Sequence, residues 1–222
     1  MYNSKNLRKI IHETINRVLK EAMDDSFSYE ELSSLTKFSQ RVRYCKEHLG
    51  SPIGNGSSRS VFQVDDDKCL KLAKNAKGMA QNEAEYDWYA QSYGIMPKLY
   101  DCADDRSWIL VEYVLPAKQQ DFKVVLGVDF ETYQRFVTKA YSCYGRNRWY
   151  ANSLMSDEEF ENLIENNEWF EQLYSYMADY QVPFGDLTRL ANLGLAQRDG
   201  EPCIVILDSG LTQQIWDEFY KR

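Results

Sequence analysis

Three observations predict an α+β fold. A glycine-bounded hairpin spans residues 53–75, a second pair of apolar strands falls within 98–114, and the pattern turns mostly helical from Asp121 onward. The division implied is an N-terminal helical extension (1–50), a β-rich unit (51–116) and a mostly helical unit (117–222). The hairpin organises the rest. Gly54 and Gly56 make a Gly-x-Gly turn into the apolar run Val61 to Val64, Asp65, Asp66 and Asp67 form an acidic turn, and the returning strand carries Lys71. Closely spaced glycines let backbone amides approach an anion, and a nearby lysine adds charge.

The remaining elements follow in order. Leu7, Ile10, Ile11, Ile15, Val18 and Leu19 share one helical face, with Arg8, Lys9, Glu13 and Lys20 off it, which predicts an amphipathic helix. Such a helix docks on the body of the protein or on a second copy, giving a route to a homo-oligomer. A membrane-surface or partner-targeting role is the alternative. Ser28 and Glu31 form a capping-box pattern for a second helix, with Leu32, Leu35, Phe38 and Val42 on its stripe and Gly50 and Pro52 at its end. After the hairpin, Gly78 to Tyr93 reads as a helix containing Glu83 and Glu85, stopped by Gly94 and Pro97. Lys98 to Cys102 and Trp108 to Val114 read as strands joined at Asp104–Asp105. Helices are expected from Asp129 through Tyr141, from Ser156 (boxed by Glu159), and from about Glu168 to Tyr180. Beyond Pro183 lie a short strand–loop–strand unit, Gly185 to Leu195 and Ile204 to Leu207, and a brief helical tail.

Composition narrows the function classes. With 222 residues, 44% of them hydrophobic, the chain is long enough to bury a core. A net charge of −8 disfavours non-specific binding to nucleic acid or to an anionic membrane. No apolar run is long enough for a membrane span, and no secretory signal opens the sequence. The five scattered cysteines and two histidines form no Cys-x-x-Cys or Cys/His cluster, so neither a disulfide framework nor a structural zinc site is expected, and a reducing cytosol is.

The order of glycine-rich hairpin, lysine strand, glutamate helix, apolar strand with a polar exit, helices, Asp…Asn loop and Asp-x-Gly resembles the protein-kinase-like superfamily over residues 53–212. That resemblance implies a two-lobed fold, with a small antiparallel sheet in the N-lobe and a truncated, mostly helical C-lobe. It also implies ATP and Mg²⁺ as cofactors. Ile53-Gly54-Asn55-Gly56 is similar to the start of the phosphate-covering loop, and Val61 to the valine packed over adenine. Cys69-Leu70-Lys71 is similar to the strand end whose lysine contacts the α- and β-phosphates. Strand alternation separately puts Cys69 and Lys71 on one face and Leu70 and Leu72 on the other. Glu83 resembles the helix glutamate that pairs with this lysine, and Glu85 is the less favoured candidate. Glu112-Tyr113-Val114 resembles the adenine-binding hinge, with Val111 as gatekeeper. Asp186 resembles the catalytic aspartate, Asn192 the metal-binding asparagine, and Asp208-Ser209-Gly210 the motif that holds Mg²⁺.

The chemistry needs these residue types together. A triphosphate calls for cations and amides, Mg²⁺ for hard oxygen ligands, and an attacking hydroxyl for a carboxylate that orients and deprotonates it. Taken singly, each has a plain reading: Lys71 as a solvated strand lysine, Glu83 as helix surface, Asp186 as a cap, Asp208-Ser-Gly as a turn.

Several residues depart from the family pattern. Arg59 stands at the third-glycine position, where it either reaches the phosphates or marks a different turn. Phe184-Gly185-Asp186 is closer to the His-Gly-Asp of aminoglycoside phosphotransferases, and the Asp186–Asn192 gap is one residue longer than usual. Arg189 pairs with a phosphate or with Asp186, or forms a structural salt bridge. Only twelve residues follow Gly210, too few for an activation segment. The expectation is a compact ATP- and Mg²⁺-dependent kinase of bacterial or phage type, cytoplasmic, that phosphorylates a hydroxyl on a protein partner. A small-molecule kinase and a nucleotide-responsive pseudokinase are the alternatives.

Overall fold

Two antiparallel sheets and ten α-helices make up the described part of the computed structural model, which covers residues 27–144 and 155–220. The amphipathic helix expected over residues 7–19 lies outside it. Helices α1 (Tyr29–Ser34) and α2 (Phe38–Leu49) come first. The sequence predicts one helix here; the chain instead breaks at Leu35, whose extended backbone separates the two. Ser28 caps α1 by accepting from the Glu31 N–H, as its capping-box position predicts.

The larger sheet contains β1 (Gly54–Asn55), β2 (Arg59–Gln63), β3 (Lys68–Ala73), β4 (Leu99–Cys102) and β5 (Trp108–Glu112), in the spatial order β1-β2-β3-β5-β4. Its two faces are sorted by alternation. Phe62, Leu70, Leu72, Trp108 and Leu110 turn to one side and pack with Leu32, Tyr44 and Cys45 of α1 and α2. The described part of the 1–50 extension therefore shares a core with the sheet. On the opposite side Cys69, Ile109 and Val111 cluster with Val61, Leu99 and Tyr113. Cys69 and Lys71 thus share the face that alternation predicts.

Between β3 and β4 lie α3 (Ala76–Tyr86) and α4 (Trp88–Ser92). One helix is expected from Gly78 to Tyr93, but the chain bends at Asp87, which caps α4 through the Tyr89 N–H and accepts a hydrogen bond from Tyr180. Gly78 sits where α3 meets the Ser58 carbonyl and Ala73; a Cβ at this position would collide with the carbonyl and crowd Ala73, so glycine sets how closely the helix approaches the sheet.

β6 (Leu115–Pro116) leads into α5 (Gln119–Val125), α6 (Phe130–Tyr144), α7 (Asp157–Asn166) and α8 (Glu168–Tyr180). Ser156 caps α7 by accepting from the Glu159 N–H. These helices bury Phe122, Tyr133, Phe136, Phe170, Leu173 and Tyr176 in a second core that also takes in Ala90, Ile95 and Met96. The short α9 (Phe184–Leu187) and a 3₁₀ turn (Leu190–Asn192) lead to β7 (Leu193–Arg198) and β8 (Glu201–Ile206), and α10 (Gln213–Phe219) is the last described helix. β6, β7 and β8 form the second sheet in that order. Among the described residues no helix is long and apolar enough to cross a membrane.

Candidate functional site

A cleft of about 510 Å³ opens between the two sheets. One wall comes from β1, β2 and β3, which bring Gly54, Gly56, Arg59, Val61, Cys69 and Lys71 to its surface. The strand exit supplies Val111, Glu112 and Val114, and the opposite wall holds Asn192, Leu207 and Asp208. Residues from five separated stretches of sequence thus converge on one cavity. Its middle is apolar, with Val61, Cys69 and Val111 on one side and Val114 and Leu207 on the other, backed by Ala196 and Val205. Burial pushes the Cys69 thiol up to about 11, so it lines this slot as a neutral side chain.

A four-group ionic cluster closes one end. Lys71 Nζ donates to Glu85 Oε2 at 2.5 Å and to the Leu207 carbonyl at 2.6 Å. Arg59 Nη2 lies 2.8 Å from Glu85 Oε1 and bonds to Asp208 Oδ1, while its Nη1 donates to Asn82 Oδ1 at 3.3 Å. Lys71, Arg59 and Glu85 are buried, whereas the Asp208 side chain keeps 44% of its exposure. Burial alone would raise the Glu85 carboxyl pKa. Arg59 and Lys71 outweigh it, and the net shift is downward. Burial likewise works against the Arg59 charge, but Glu85 and Asp208 hold it protonated.

The partner of Lys71 is therefore Glu85 and not the expected Glu83. Glu83 lies on another face of α3, its side chain 62% exposed, and pairs with Arg106 at 2.7 Å. The reason is helical geometry. Gly78, Gln81, Asn82 and Glu85 recur at i, i+3, i+4 and i+7, a single face, and all four are buried. Gly210 completes the contact: its N–H donates to Glu85 Oε1 at 3.2 Å, and a Cβ on it would run into the Gln81 carbonyl.

Arg59 follows neither of the two expected courses in full. It opens β2 opposite Ala73 with no positive φ, so the third-glycine position makes no left-handed demand here. Its guanidinium lines the cleft, but is committed to Glu85, Asn82 and Asp208. The lip is tied down separately, since Lys74 Nζ donates to Asn55 Oδ1 at 2.9 Å and to the Gly56 carbonyl.

The Asp186 loop rests on the helical core. Tyr133 donates to the Leu187 carbonyl at 2.8 Å, Gln134 Nε2 to the Thr188 carbonyl at 2.9 Å, and Asn192 Nδ2 to the Asp186 carbonyl at 3.0 Å. That last bond uses the Asn192 amide nitrogen and not its oxygen. Burial and the Asp208 carboxylate raise the Asp186 pKa against the opposing effect of Arg189. Arg189 is largely exposed and stands 3.5 Å from Asp186, so of its expected partners Asp186 is the one it meets. Neither Asp186 nor Arg189 is among the residues lining the cleft.

Glu112 joins the two sheets. Arg198 of β7 grips its carboxylate with both guanidinium nitrogens, at 2.8 and 2.6 Å, and also donates to the Met96 carbonyl at 3.2 Å. Burial would raise the Glu112 pKa; the hydrogen bonds from Arg198 reverse this and lower it. Arg198, Asn82 and Tyr176, whose hydroxyl donates to the Ser209 carbonyl at 2.7 Å, are site-building residues that no sequence motif singles out.

No group of three or more His, Cys, Asp or Glu that could hold a metal occurs among the described residues. Asn192 Oδ1 and the second oxygen of Asp208 are hard donors that fit Mg²⁺, an ion that commonly takes one or two protein oxygens and completes its shell with phosphates and water. The sequence matches no family model, and the search of curated proteins finds no match.

Proposed function

We propose that the chain is an ATP- and Mg²⁺-dependent phosphotransferase with a two-lobed, protein-kinase-like architecture. The observation that carries this reading is the cleft itself. A fixed Lys71–Glu85 pair lies on one wall, Asn192 and Asp208 on the other, and an apolar slot runs between Val61, Cys69 and Val114. A flat aromatic base suits the slot, and the charged end suits phosphates. Lys71 is held in place before any ligand arrives, so its charge meets the phosphates without reorganisation. Gly54 and Gly56 border the cleft where a backbone can come close to an anion. Mg²⁺, held by Asn192 and Asp208, would supply neutralisation of the triphosphate.

In the transfer step, an acceptor hydroxyl oxygen bonds to the γ-phosphorus and the bond from that phosphorus to the β–γ bridging oxygen breaks, releasing ADP. The hydroxyl proton passes to Asp186, whose raised pKa makes it a better base than an ordinary aspartate. Asn192 fixes the loop carrying this base through the Asp186 carbonyl. Arg189, exposed beside Asp186, is placed to meet the acceptor. The acceptor is a hydroxyl on a protein. Incubation with γ-labelled ATP tests the reading: label should move to a protein acceptor or to the chain itself, and Lys71→Met should reduce that transfer at least tenfold, roughly the effect of losing one preorganised electrostatic contact. Transfer unchanged in Lys71→Met would overturn the proposal.

A further inference from the structure

Arg59 Nη2 is bound to an oxygen of Asp208, one of the two side chains best suited to a divalent ion in this cleft. Three features make this cation a permanent part of the site. Its backbone is paired into β2 opposite Ala73, its guanidinium is pinned by Asn82 Oδ1 and Glu85 Oε1 as well as by Asp208, and only 7% of the residue is exposed. A guanidinium does not lose its proton in a protein. The cluster of Lys71, Arg59, Glu85 and Asp208 therefore sums to zero charge by itself, where Lys71, Glu85 and Asp208 alone would be negative. A negative site would need a bound cation before it could admit a polyphosphate. This one carries its own.

We propose that Arg59 serves as a resident cation at Asp208, so that a nucleoside triphosphate binds in this cleft without a divalent metal ion. The inference rests on the nucleotide reading given above and divides the metal's work. Binding is supported by Lys71, the lip and an Asp208 already neutralised by Arg59. A divalent ion entering at Asn192 and the second Asp208 oxygen is required only for transfer. A metal approaching Asp208 also meets repulsion from Arg59, which weakens its hold in the absence of nucleotide.

The test is calorimetric titration of the wild-type chain with ATP in excess MgCl₂ and again in excess EDTA. The two dissociation constants should agree within about threefold. In Arg59→Met, which keeps the aliphatic length and removes the charge, EDTA should weaken binding roughly tenfold or more relative to MgCl₂. A merely structural role for Arg59 would alter both constants together and leave their ratio unchanged, and that result in the variant overturns the assignment. Wild-type binding seen in MgCl₂ but at least about tenfold weaker in EDTA overturns this proposal alone and needs no variant. No binding in either condition overturns the nucleotide reading itself.

Discussion

Glu85→Gln is expected to destabilise the fold by about 3–5 kcal/mol at pH 7, while Glu83→Gln should cost less than about 1 kcal/mol. The two residues are one helical turn-fraction apart and differ only in what they face. Glu85 is buried against Lys71 and Arg59, so its removal leaves two buried cations short of a counter-charge. Gln can still accept one hydrogen bond, but supplies no charge. Glu83 is itself 62% exposed where it pairs with the partly buried Arg106, so solvent screens much of the attraction on its side. Urea denaturation of both variants measures the difference. It should also depend on pH. The folded-state pKa of Glu85 lies below its unfolded value of about 4.3, so its contribution is complete above that value and is lost as pH falls through the lowered folded-state pKa. The gap between wild type and Glu85→Gln should therefore close in acid.

Asp186→Asn is expected to reduce phosphoryl transfer by roughly 10²- to 10⁴-fold, the usual contribution of a positioned general base. ATP affinity should change little, because Asp186 does not line the cleft. Thermal stability should rise slightly, an outcome that separates a catalytic carboxylate from a structural one. Burial and the neighbouring Asp208 raise the Asp186 pKa, so the ionised form costs folding energy at neutral pH, and the neutral amide removes that cost. The sign follows from the raised value: stability is complete below the unfolded pKa of about 3.9 and declines as pH rises through the folded-state pKa. The stabilisation in Asp186→Asn should accordingly appear at pH 7 and vanish in acid. Differential scanning calorimetry at both pH values, together with labelled transfer, checks both halves.

The residues that local rules could place are the ones with strong periodicity or a capping position. Alternation along β3 puts Cys69 and Lys71 in the cleft and Leu70 and Leu72 in the back core, because a sheet with two differently packed faces leaves no other register. Ser28 and Ser156 are legible because a hydroxyl that accepts from the N–H three residues on favours the start of a helix by a purely local contact. α8 runs from Glu168 to Tyr180, the span its periodicity predicts. The breaks at Leu35 and Asp87 were not legible. Asp87 answers to Tyr180, 93 residues away, and nothing local marks that partner.

The same division holds within the candidate site. Glu83 and Glu85 both lie on α3, and distance along the chain cannot separate them; the buried face running through Gly78, Gln81 and Asn82 does. Helical phase from Gly78 was therefore a usable signal for Glu85. Arg59 is different, because its role depends on Asp208, 149 residues downstream, and on Asn82, with no spacing rule to join them. Arg198 and Glu112 are likewise 86 residues apart, and each reads locally as a surface charge. Long-range ionic pairs of this kind are set by how the two sheets meet, which only the assembled fold specifies.

Calorimetric titration of the wild-type chain and of Cys69→Phe with ATP tests the central claim that the cleft is a nucleotide site. Cys69 lines the apolar slot beside Val61 and Val111, so a phenyl ring at this position would take up space that a base needs. Saturable binding of one ATP per wild-type chain, lost in a Cys69→Phe protein that still unfolds cooperatively, is the predicted result. No binding to the wild type, or equal affinity in both proteins, would contradict it.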